Sequence, residues 1–313
     1  MGQGGDEHAG SGLMLTETMP EGVSAFPITP CDAAGRLDGG ALSRLLTRLI
    51  TPSVASIGLL GSTGSYPYLT RDVRRQALEV AVETVAGRVP ILVGVGALRT
   101  DEAVRIAQDA RAIGASVGLL AVVSYTPLTE DEIVEHFTVV ARESGLPLCI
   151  YDNPGTTHVA IGPDLAGRLS RIPGVIAIKS PASPVPGIAA HFAALRNAVG
   201  PGLSIGFSGD WHATEALLAG GTVWYSVAAG LFPEPCGAIL RAVQAGDAEE
   251  ARRLDAVMEP LWALFRAHSS LRVIYAAATI LGLGRPELPR PLLPLPEPAR
   301  RAVAETLAQL GLT

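Results

Sequence analysis

The chain has 313 residues, 48% of them hydrophobic and 17% charged, enough to bury a large core and too apolar for a disordered chain. A formal charge of -6, with no run of Lys or Arg, offers no basic field for a phosphate backbone, so nucleic acid is not an expected partner. The apolar runs fall far short of the roughly 18 residues that a membrane span requires, and no membrane association is expected.

Residues 1–20 are rich in Gly and polar side chains, lack the apolar stretch of a secretory signal, and read as a loose N-terminal tail of a cytoplasmic protein. Met1-Gly2 opens like a myristoylation motif, but Asp6 stands where that motif wants Ser or Thr. From there, β-branched apolar runs alternate with helical patterns: residues 23–28, 54–60, 90–95, 116–123, 147–151, 175–179, 203–208 and 222–227. Thr70, Thr100 and Thr129 stand ahead of acidic residues as helix-start signals, and Gly or Pro precedes several strands. The same alternation builds doubly wound open sheets, but eight units in about 220 residues suit a closed (β/α)8 TIM barrel, which typically takes roughly 250. The expected barrel spans residues 21–237. Residues 238–313 form a C-terminal helical extension, interrupted by a Pro-rich stretch at 285–298 and ended by a helix at 299–310.

Of the 24 Lys and Arg side chains one is lysine, Lys179. Arginine serves wherever a generic positive charge suffices, so this lysine is expected to do what a guanidinium cannot, namely lose its proton and become a nucleophile. It ends the apolar run Val175-Ile176-Ala177-Ile178, where desolvation would bring its pKa from ~10.4 to roughly 7–8. The plainer alternative is a snorkelling lysine or half of a buried ion pair.

Barrel enzymes carry their chemistry at the carboxyl ends of the strands, and polar residues collect there: Gly61-Ser62-Thr63-Gly64-Ser65, Ser124-Tyr125, Tyr151-Asp152-Asn153, Lys179 and Ser208-Gly209-Asp210. Gly61-Ser62-Thr63-Gly64 can cradle a carboxylate with its amides and hydroxyls, or be a plain tight turn. Tyr125 and Tyr151 can relay protons or simply pack. Asp152 and Asp210 suit caps of the following helix or turn, and His158 and His212 read as ordinary histidines. Cys31, Cys149 and Cys236 are too scattered for a disulfide framework or a zinc knuckle, and no histidine pair has metal-ligand spacing, so no metal is expected. Gly94-Val95-Gly96 begins like a dinucleotide fingerprint, but Arg99 occupies the third glycine's place and a nicotinamide site is rejected.

In order and spacing these motifs resemble the dihydrodipicolinate synthase and N-acetylneuraminate lyase family of class I aldolases. Phe26-Pro27-Ile28-Thr29-Pro30 is similar to its opening strand, Gly61-Ser62-Thr63-Gly64 to its Gly-rich loop, 174–179 to its lysine strand and Pro289-Arg290-Pro291-Leu292-Leu293-Pro294-Leu295 to its C-terminal motif. The resemblance implies a covalent imine between Lys179 and pyruvate or another 2-oxo acid, with no further cofactor. It implies Ser62, Thr63 and Gly64 at the substrate carboxylate, Ser208 and Val223 as further substrate contacts, and Tyr151 shuttling protons over the imine. Lys179, Tyr151, Tyr125 and Thr63 are the expected catalytic set, with Tyr125 reaching a neighbouring subunit's site in a homotetramer built as a dimer of dimers.

The departures concern the second substrate. Thr156 falls where the synthases place an arginine that clamps that substrate's carboxylate, Ser65 replaces a glutamate, and Ser180 follows the lysine where glutamate is common. The expectation is therefore a Schiff-base aldolase or hydro-lyase with an altered substrate. The lysine-pathway dihydrodipicolinate synthase and a non-catalytic 2-oxo-acid-binding paralogue are the alternatives.

Overall fold

The computed structural model describes residues 18–182 and 187–312; most of the expected 1–20 tail lies outside them. Eight strands, β1 (Gly22–Ala25), β2 (Ser56–Leu59), β3 (Ile91–Gly94), β4 (Val117–Ala121), β5 (Leu148–Tyr151), β6 (Val175–Pro181), β7 (Ser204–Ser208) and β8 (Val223–Ser226), form a closed barrel in sequence order. Every pairing is parallel, and β1 pairs with β8 to close the ring. The strands are shorter than the apolar runs that announced them, because the flanking apolar residues pack beyond the ladder; Phe26 and Ile28 follow β1 and are buried.

Helices cover the outside. Thr70 caps the helix Arg71–Val85 through the Val73 N–H, and Thr129 with Glu132 forms a reciprocal capping box on Glu130–Ser144. Thr100 differs from expectation: it is the first residue of its helix, Arg99 holds the cap position, and the Thr100 hydroxyl instead meets His136 Nδ1 at 2.9 Å.

The helix Pro233–Gln244 follows β8 and completes the eighth βα unit, and it starts at Pro233, whose fixed φ suits a first helical position. The helices Pro233–Gln244, Ala248–His268, Ser270–Ile280 and Glu297–Gln309 pack against one another, and Arg252 clamps Glu215, on the helix that follows β7, with bonds of 2.6 and 3.0 Å. This region is more than an appendage, since Ser269, Ser270, Leu271 and Arg272 help to wall the cavity at the barrel mouth.

Gly94 shows how tightly that mouth is built. A Cβ there would lie 1.9 Å from the Leu60 carbonyl oxygen, and the carbonyls of Gly94 and Gly96 accept bonds from the buried Arg74 guanidinium. The glycines rejected as a dinucleotide motif therefore serve close backbone packing. Gly94→Ala should lower unfolding free energy by about 2 kcal/mol or more, whereas Gly202→Ala, where a Cβ would meet nothing within 4 Å, should stay within about 0.5 kcal/mol. Urea titrations of both variants read the contrast directly.

Candidate active site

Lys179 lies near the carboxyl end of β6, in register with Tyr151 on β5 and Gly206 on β7, and is 4% exposed. Among the described residues no carboxylate stands within ion-pair distance of its Nζ. Three aromatic rings surround it instead: Phe26 at 3.9 Å, Tyr151 at 4.7 Å and Tyr225 at 5.7 Å from Nζ to ring centroid. Burial pushes the amine's pKa down to about 8, with Cys149 and Asp210 opposing the shift.

Glycine makes room for that aromatic enclosure. A Cβ on Gly58 would sit 2.2 Å from the Phe26 ring, one on Gly61 2.7 Å from it, and one on Gly206 2.5 Å from the Tyr225 ring. Phe26 and Tyr225 meet edge to face with centroids 6.0 Å apart, which fixes both rings over the amine.

The loop after β2 brings the hydroxyls. Leu60 and Ser65 at its two ends both have φ of 54°, a left-handed conformation that non-glycine residues adopt at a cost. Ser62 and Thr63 between them face the cavity. The Tyr151 phenol donates to Ser62 Oγ at 3.0 Å and accepts from Asn153 Nδ2 at 2.9 Å, forming a continuous polar chain. Burial raises the phenol's pKa, an effect that Ser62, Asn153 and Thr156 partly offset. Tyr151 is thus a neutral proton donor at the pH where Lys179 can be a neutral base.

The cavity holds about 610 Å3 and is lined by Lys179, Tyr151, Ser62, Thr63, Thr156 and Ser208 among the expected residues. Three expected residues are elsewhere. Tyr125 is 98% exposed and outside this cavity; from the β4 end Val123 lines it instead. Gly64 turns inward, where a Cβ would stand 2.9 Å from Thr29 Oγ1 and from Leu60 Cα. Val223 is fully buried and outside the cavity lining, while Tyr225, two residues on, presents its ring 5.7 Å from the Lys179 Nζ.

The two aspartates are not helix caps. Asp210 is buried and accepts from Trp224 Nε1 at 2.9 Å and from the Ala228 N–H at 3.1 Å, tying the β7 and β8 ends together. Asp152, pushed up to about 6 by burial, accepts from the Ile161 N–H at 3.0 Å and braces the loop beyond β5. Sequence reading gave no role to Phe26, Tyr225, Asn153, Trp211 or Arg272, all of which border the amine or its cavity. Among the described residues, no group of three metal-ligating side chains is present and no helix is long and apolar enough to cross a membrane.

Because the amine's pKa is about 8, its neutral fraction rises about tenfold per pH unit below that value and levels above it. The initial rate of reductive trapping by pyruvate with cyanoborohydride, corrected for reagent decay, should follow that curve. A plateau delayed to about pH 10 would show that burial is not depressing the amine. Tyr151→Phe should slow turnover by about 100-fold or more while changing substrate half-saturation far less.

The sequence model of the Dihydrodipicolinate synthetase family matches residues 19–310. Curated relatives named 4-hydroxy-tetrahydrodipicolinate synthase include one from Acidiphilium cryptum, 30% identical over 91% of this chain and 96% of its own length. Another, from Thiobacillus denitrificans, is 34% identical over 86% of this chain and 89% of its own. Among solved structures, dihydrodipicolinate synthase from Agrobacterium tumefaciens is 53% identical, with a TM-score of 0.91 over 94% of this chain and 99% of that one. The 4-hydroxy-tetrahydrodipicolinate synthase of Methylacidiphilum fumariolicum is 28% identical, with a TM-score of 0.86 over 93% and 96%. With a match across nearly its whole length and a buried lysine at the end of β6, the chain belongs to the dihydrodipicolinate synthetase family and is a Schiff-base lyase.

Proposed function

We propose that Lys179 forms an imine with pyruvate or another small 2-oxo acid and that the imine then serves as the electron sink for making or breaking a bond at the neighbouring carbon. The observation that carries this reading is the amine itself, buried, with a pKa of about 8, beneath a cavity that also presents Ser62 and Tyr151.

The neutral amine attacks the C2 carbonyl to give a carbinolamine, which loses one water to leave a protonated imine. The hydroxyl leaves as water only if a proton is delivered to it. Tyr151, with Ser62 and Asn153 on its oxygen, stands as the group that delivers and recovers that proton. The hydroxyls of Ser62 and Thr63, with the amides of their loop, receive the substrate carboxylate. Loss of a C3 proton from the iminium then gives an enamine. Addition of the enamine to an aldehyde forms a carbon–carbon bond, the reverse cleaves one, and loss of a hydroxyl from the next carbon dehydrates the substrate.

The relatives' names support condensation of pyruvate with an aldehyde. Thr156 supports a different second substrate from theirs, because a threonine cannot make the bidentate contact of an arginine with a carboxylate. The fully exposed Tyr125 supports an assembly in which a neighbouring subunit covers it, and a homotetramer built from dimers is the assembly proposed. Three buried free cysteines agree with a reducing, cytoplasmic setting.

Borohydride treatment with pyruvate should add one reduced pyruvate to the intact mass, at Lys179, and Lys179→Arg should abolish both adduct and turnover. A Lys179→Arg protein that still turns over substrate would refute the mechanism. Condensation of pyruvate with aspartate semialdehyde should be very slow even at high enzyme concentration, whereas efficient turnover would overturn the reading of Thr156.

A further inference from the structure

The cavity is far larger than the imine chemistry needs, and its outer part carries one more cation. Arg272, in the first turn of the helix Ser270–Ile280, lines the same 610 Å3 space as Lys179 and Ser62. Its Nε donates to the Leu293 carbonyl at 3.2 Å, which orients the guanidinium on the C-terminal segment. Among the described residues Arg272 makes no other hydrogen bond and no ion pair, although ion pairs engage many of the surface arginines. The carboxylate that lines the cavity, Asp210, is already bound to Trp224 and Ala228. Among the described residues Lys179 and Arg272 are the only lysine or arginine side chains bordering the cavity, and Lys179 is committed to the imine.

We propose that Arg272 is a specificity-determining residue that binds a carboxylate at the far end of the substrate, so that the ligand is a 2-oxo acid carrying a second, distal carboxylate. The proposal rests on the imine reading of Lys179 and adds the substrate class. The terminal nitrogens left free by the Leu293 contact are the geometry that a bidentate carboxylate requires. Trp211, Leu271 and Leu292 supply apolar wall for the carbon chain between the two ends. Arg272 takes the place of the guanidinium missing at Thr156, from the helical region rather than from the β5 loop. The same side chain borders a second cavity of about 260 Å3 with Arg290 and Arg300, so the readout must come from Lys179 itself.

The test is reductive trapping at Lys179 as a function of ligand concentration, with four probes beside pyruvate: 2-oxoglutarate and 2-oxoadipate, each against the methyl-ended acid of equal chain length, 2-oxopentanoate and 2-oxohexanoate. Hydrogen bonds between charged groups imply that the wild type favours the diacid in at least one pair by about ten- to a hundredfold in half-saturation. Arg272→Leu should reduce that preference, taken as the ratio of diacid to methyl-ended acid within the same variant, to within about twofold. Arg272→Lys should retain part of it, since the charge remains and the planar fork is lost. A pyruvate adduct with no diacid preference in either pair, or a preference that survives Arg272→Leu, overturns the role of Arg272 alone. Failure of pyruvate itself to give an adduct overturns the imine reading on which it rests.

Discussion

A single ammonium group held away from water, with no carboxylate beside it, sets the terms for the rest of this structure. An ion pair at Lys179 would restore the proton that the reaction needs removed, and an apolar surround with no compensation would leave the charged form too costly to hold. The faces of Phe26, Tyr151 and Tyr225 lie between these limits, because a ring face favours a nearby cation by roughly 0.5–2 kcal/mol without accepting a proton. The pKa of about 8 is the balance between desolvation and its weak opponents, Cys149 and Asp210.

That balance depends on features distant in sequence. The rings fit only because Gly58, Gly61 and Gly206 carry no side chain where Phe26 and Tyr225 sit. The hydroxyl of Ser62 reaches Tyr151 only because the loop after β2 is bent through left-handed residues at both ends, and Gly94 admits the Leu60 carbonyl that this bend displaces. Strain of this kind persists where the surroundings over-determine it. Ser65 contributes to that determination: its hydroxyl meets the Tyr275 hydroxyl at 3.2 Å, tying the strained loop to the helix that carries Arg272. The helical region thereby braces the imine machinery as well as walling the cavity.

The periodicity of apolar runs and the position of one lysine made the barrel and its reacting amine legible in the sequence, because each is a local signal. Tyr151 and Ser62 were legible as strand-end residues and Thr156 through the family resemblance, and the three do share the cavity. What escaped depends on closure of the ring. Phe26 follows the first strand, and only the pairing of β1 with β8 turns its ring toward Lys179 and Tyr225. Val223 is absent from the cavity lining, because an apolar run does not mark which of its inward positions reaches the cavity. Arg272 gave no local signal at all, since one arginine among many in a helical pattern becomes distinctive only through the cavity it borders.

The two halves of the site differ in what holds them, and this bears on how they can diverge. The imine half is built from inward-facing strand positions, Lys179, Tyr151 and Tyr225, each packed against glycine or another ring, so a change in any one disturbs neighbours around the closed sheet. The outer half is built from Thr156 on a four-residue helix, Trp211 in a short turn and Arg272 at a helix start, with contacts that are few and local. Substitution there costs little stability and bears mostly on what lies beyond the reacting carbons, with Thr156, which also touches the Tyr151 phenol, as the link between the two halves. A chain can therefore keep the covalent chemistry of relatives that are 30–53% identical to it and still change the anion contact that selects the substrate.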